Sequence, residues 1–181
     1  MPGVSSPSPR GPVGRALDVL YDASAALAAL AMVVLLAMVL LSIVSRQLGF
    51  NVPGIDAYAG YMMAAAGFLA LAHTLKRGEH IRVTLLLSAL HGGARRALEV
   101  WSLAAAMLLA ALAAFYSVKL AWQSYTFHDI STSNYATPLW LPQLSMAIGT
   151  VVLAIALVDE LLLELRGRRH VAEPAEKLRN E

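Results

Sequence analysis

Lys76-Arg77-Gly78-Glu79-His80-Ile81-Arg82-Val83-Thr84-Leu85-Leu86-Leu87-Ser88-Ala89-Leu90-His91 separates two long apolar stretches and is itself neither apolar throughout nor a polar tail. From Val83 onward the apolar residues Val83, Leu86, Leu87 and Leu90 recur at helical spacing, and Thr84, Ser88, His91 and Arg95 fall on the opposite face. This spacing predicts a short helix with one oily side, over about residues 81–92. The cations that precede it, Lys76, Arg77 and Arg82, suit a surface of anionic lipid headgroups. A helix lying in the membrane interface and joining two membrane-crossing hairpins accounts for both features, so the fold hangs on this stretch.

Working outward, the composition agrees. Of 181 residues, 58% are hydrophobic and only 14% charged, far below the share in a water-soluble domain. There is no cysteine, which excludes disulfides, thiolate metal sites and cysteine nucleophiles. No basic, aromatic-interleaved face exists for nucleic acid.

Upstream of the connector, residues 55–75 form an apolar span with Asp56 at its mouth. Within it Ala57, Gly60, Ala64 and Gly67 make a strip of small residues, the kind of surface that lets another helix approach closely in lipid. Before it lies the first span, residues 23–46, uncharged from Ala23 to Val44 and ending in Arg46, and its apolar run is too long for the core of a signal peptide. Residues 1–16 are Pro-, Ser- and Gly-rich at their start and read as a disordered tail. Downstream, residues 96–125 make a third span, longer than the hydrocarbon core requires, with Lys119 and Trp122 near its outer end. A polar connection follows, and Pro138 and Trp140 open the fourth span, residues 138–163. Residues 166–181 form a charged tail. The expected architecture is an all-α integral membrane protein of four transmembrane helices, with the amphipathic interfacial helix between the second and third.

The cations give the orientation. Arg10, Arg15, Lys76, Arg77, Arg82, Arg95, Arg96, Arg166, Arg168, Arg169, Lys177 and Arg179 fall on one side, and only Arg46 and Lys119 on the other. The positive-inside rule then puts both termini and the connector in the cytoplasm.

No Asp, Glu, Lys or Arg stands near the middle of a span, where ion and proton paths place ionisable groups, and no matched pair of broken helices marks a substrate site. A substrate path carried by this chain alone is not expected, nor is a catalytic site, a metal or a cofactor. The alternative in another class is a four-helix anchor of a redox enzyme, binding haem or quinone. His73, His80, His91, His128 and His170 weigh against it, because no two fall at one depth within the membrane.

Taken together, these residues resemble a known family. The long first span ending in Arg46, Asp56 opening the second, Gly67-Phe68-Leu69-Ala70-Leu71-Ala72, then Gly78-Glu79-His80-Ile81-Arg82-Val83 and Pro138-Leu139-Trp140 are similar to the small permease subunit of tripartite ATP-independent periplasmic (TRAP) transporters, the DctQ-like family. The Gly-x-His-Ile-x-Val element is the most specific part, and the likeness covers about residues 17–165. Family members commonly carry Glu near the start of the second span, often after Trp; this chain has Val52-Pro53-Gly54-Ile55-Asp56. The resemblance implies a scaffold for a large permease subunit in sodium-coupled uptake of an organic acid, delivered by a periplasmic substrate-binding protein. It implies residence in the bacterial inner membrane. Arg46, Asp56, Gly60, Gly67, Gly78, His80, Arg82, Pro138 and Trp140 are the candidates for contact with that partner or with membrane lipids.

Overall fold

Each long apolar run is a helix whose small residues fall in a stripe, and the stripes set the packing. The computed structural model describes residues 12–50, 52–77, 93–133 and 136–166. They form α1 (Pro12–Gln47), α2 (Ile55–Lys76), α3 (Gly93–Thr126) and α4 (Trp140–Leu165). All four are long and apolar enough to cross a membrane, and no strand occurs among the described residues. The chain is an all-α membrane protein. The connector with its expected interfacial helix, including Gly78, His80 and Arg82, lies outside the described residues.

α2 packs against α1 and α4, and α4 against α2 and α3, so α2 and α4 are central and α1 and α3 flank them. The flanking helices bury one narrow seam each. On α1 it is Tyr21, Ser24, Ala28, Ala31 and Ser45; on α3 it is Leu103, Ala110, Ala114, Ser117, Ala121 and Ser124. Steps of three, four, seven and fourteen residues, which follow a period of about 3.5, keep such a seam facing one antiparallel neighbour. The residues are small because lipid supplies no hydrophobic drive, so close van der Waals contact must hold the helices together. Two buried hydroxyls bond within their own helix: Ser117 donates to the Ala113 carbonyl at 2.6 Å and Thr150 to the Met146 carbonyl at 2.8 Å.

α1 opens at Pro12, ahead of residue 16, where the sequence expectation ended the tail. Leu17 packs on the core that contains Tyr21, so burial extends the helix beyond the apolar run. α4 opens at Trp140, not at Pro138, which instead forms an isolated antiparallel bridge with Ile130. The proline in the first turn of α4 is Pro142, at a position where an amide hydrogen has no intrahelical partner.

α1 and α3 end alike. Beyond α1, Gly49 has φ 74° and the Phe50 amide donates to the Ser45 carbonyl at 3.0 Å. Beyond α3, His128 has φ 54° and the Asp129 amide donates to the Ser124 carbonyl at 3.0 Å. Both are left-handed helix stops, one on the residue type that suits it and one on histidine, whose ring Nδ1 lies 3.2 Å from the Thr126 carbonyl.

Candidate functional site

The chemistry-bearing side chains gather at the two ends of the bundle. At the end where α1 begins and α4 finishes, Lys76 occupies the last turn of α2. Its ammonium donates to Glu160 Oε1 at 3.0 Å and to Asp159 Oδ2, both on α4. The side chains of Lys76 and Glu160 are each only 11% exposed. The Tyr21 ring of α1 covers the same ammonium, with its centroid 5.3 Å away. One cation thus ties α1, α2 and α4 together. Beside it His73 Nδ1 lies 3.5 Å from Asp22 Oδ1, and Arg96 donates to the Leu165 carbonyl at 3.3 Å, joining α3 to the end of α4.

At the far end, Arg46 in the last turn of α1 meets Asp56 in the first turn of α2 at 3.3 Å, and Ser42 donates to the same carboxylate at 3.2 Å. A cation at a helix C-terminus and an anion at an N-terminus also complement the two dipoles. Gly54, with φ 77°, makes the turn into α2. Tyr58 and Tyr61, edge to face at 5.8 Å, reach from α2 to the α3–α4 connection: Tyr58 to Thr137 at 2.9 Å and Tyr61 to Ser131 at 2.9 Å. Trp140 stands edge-on to Tyr125 at 5.7 Å.

Between the ends, two kinds of glycine face different surroundings. Gly149 of α4 is buried against α2; a Cβ there would stand 2.8 Å from the Phe68 Cβ and closer still to the Phe68 carbonyl. Gly60 and Gly67 meet nothing within 4 Å. With Met63, Ala64, Phe68 and Leu71 they line an apolar groove of about 470 Å³ on the open face of α2.

Arg46 and Asp56 are therefore brought together, and Gly60 and Gly67 share one open face. Pro138 and Trp140 lie at the same end as the first pair, in the bridge and the first turn of α4. Sequence reasoning missed Asp159, Glu160, Tyr21 and Gly149. The signal for the first two was present: an acidic pair about a turn and a half inside the end of the last apolar helix, at the depth where antiparallel α2 places Lys76. Among the described residues no group of three His, Asp or Glu side chains is placed to hold a metal. The two described histidines, His73 and His128, stand at opposite ends of the bundle, in the last turn of α2 and beyond the end of α3.

A comparison with family models matches residues 35–167 to the family described as tripartite ATP-independent periplasmic transporters, DctQ component. A comparison with curated proteins finds no match.

Proposed function

Because the chain belongs to the DctQ family, the small membrane component of tripartite ATP-independent periplasmic transporters, we propose that it scaffolds the large permease subunit in sodium-coupled uptake of an organic acid brought by a periplasmic binding protein. The substrate and sodium sites belong to the large subunit in this reading, and the chain described here performs no catalytic step.

The observation that carries the scaffold role is the open face of α2. The chain packs α2 against α4 through Gly149, yet leaves a second strip of small residues, at Gly60 and Gly67, facing open space. In lipid such a strip favours close approach of another helix, and the large permease is the partner that the family supplies. Replacing both glycines with Leu fills the groove without touching the chain's own contacts. The double variant is expected to insert and fold, and to lose copurification with the coexpressed large permease; undiminished copurification would move the interface to another face.

The orientation follows from the cation asymmetry: both termini in the cytoplasm, and Arg46, Asp56 and Lys119 toward the periplasm. Reporter fusions at Asn51 and Ser133 should then register outside, and fusions at Gly92 and Glu173 inside; an inside signal at Ser133 would sink this orientation. In the same reading Gly78 lets the chain leave α2 sharply, while His80 and Arg82 hold the connector to headgroups or to the large subunit. Paired Ala substitutions at His80 and Arg82 should then lower uptake in proteoliposomes while leaving substrate capture by the binding protein unchanged.

A further inference from the structure

A second groove, between α3 and α4, runs continuously from Met107 to Tyr125 on one wall and from Val158 to Trp140 on the other. At ~1.5 Å per residue its α3 wall extends roughly 27 Å, close to the ~30 Å thickness of a hydrocarbon core. Its section at the far end, about 500 Å³, is lined by the rings of Trp122, Tyr125 and Trp140. Its walls are apolar, and small residues at Ala121 and Ala147 give it depth.

One charged side chain lines this groove: Lys119. It stands three residues before Trp122 and six before Tyr125, hence roughly 4.5 and 9 Å deeper along the helix axis. Its Cα–Cβ bond tilts toward the start of α3, deeper still, so only its flexible stem can return the ammonium toward the interface. The described carboxylates of that end are Asp56, already held by Arg46 and Ser42, and Asp129; among the described residues no ion pair reaches Lys119. Once returned to the headgroup level, the ammonium is placed to meet an anion there. The anion that fits is one joined to an apolar tail long and thin enough for the groove.

We propose that the α3–α4 groove binds one anionic phospholipid of the far leaflet, its phosphate on Lys119 and one acyl chain lying along Val118 and Val151. Trp122 and Trp140 flank the headgroup, as amphipathic rings do at membrane interfaces. The site is separate from the open face of α2 and does not depend on which partner covers that face.

The test uses the full chain with Trp101, which is 69% exposed and lies in the opposite half of α3, replaced by Phe. Trp122 and Trp140 then remain as the two fluorescent reporters, since the chain has three tryptophans. In nanodiscs of phosphatidylcholine, brominated-chain phosphatidylglycerol should reach half-maximal quenching at about five-fold lower mole fraction than brominated phosphatidylcholine, the preference one lysine gives for an anionic surface. Lys119→Arg should keep that preference and Lys119→Gln abolish it. Val118→Phe, at an exposed position on the groove wall, should reduce the maximal quenching by both lipids. Equal half-saturation by the two lipids in the Trp101→Phe chain, or an unchanged preference in Lys119→Gln, would overturn the site.

Discussion

The two ends of the bundle hold charge in opposite ways. At one, Lys76 is buried among Asp159, Glu160 and the Tyr21 ring, and joins three helices. At the other, Arg46 and Asp56 meet across a tight turn with their side chains 73% and 74% exposed. The difference in burial decides what each is worth. A buried ion pair need not stabilise relative to apolar packing, but removing one partner leaves a stranded charge that does destabilise. An exposed pair is screened, and its loss is nearly silent. The contrast teaches that this chain uses charge as structure at one end only.

The largest effect should follow from Lys76→Met. It strands two carboxylates near the membrane boundary and should destabilise the fold by about 3 kcal/mol, the lower end of the range for broken buried pairs because the cluster keeps some contact with solvent. Thermal unfolding in detergent would measure it. Adding Asp159→Asn and Glu160→Gln to the same chain should restore most of the loss. A loss below about 1 kcal/mol in the single variant would mean that water already reaches the cluster, and the contrast between the ends would collapse.

Next comes Gly149→Leu, which forces α2 and α4 apart at Phe68 and should cost about 1–3 kcal/mol, as overpacking does. Gly60→Leu, with open space around it, should leave the isolated chain's unfolding temperature unchanged. Equal destabilisation by both would show that the open face of α2 is closed in solution.

The smallest effect belongs to Arg46→Ala or Asp56→Ala, about 0.2–1 kcal/mol, and raised salt should erase it while leaving the Lys76 effect largely intact. A loss comparable to that of Lys76→Met would place the Arg46–Asp56 pair in a buried interface with another molecule.

Much of the fold was legible because its signal is local. Four apolar runs of sufficient length report four helices whatever they touch. What the sequence concealed is which side of each helix faces inward. Alanine and glycine are so frequent here that the strip Ala57, Gly60, Ala64, Gly67 and the buried set Ala65, Ala66, Leu69, Ala72 look alike on paper, although the second carries the packing against neighbouring helices. Lys76 was ambiguous for the same reason. A lysine at the end of an apolar run suits a headgroup as well as a buried carboxylate, and only the matched depth of Asp159 and Glu160 on an antiparallel neighbour separates the two. Pro138 misled because proline marks both a first helical turn and the residue before one.

The bonds joining the first hairpin to the second have one further property: they close across long stretches of chain. Lys76 to Glu160 spans 84 positions, Tyr58 to Thr137 spans 79, and Tyr61 to Ser131 spans 70. A chain made from its N-terminus presents α1 and α2 before α4 exists. Until then Lys76 has no carboxylate and Phe68 no glycine to pack on. The Lys76 cluster and the Phe68–Gly149 contact therefore close only when α4 is in place, so a slow α4 would leave the first hairpin with its ammonium unpaired by those carboxylates.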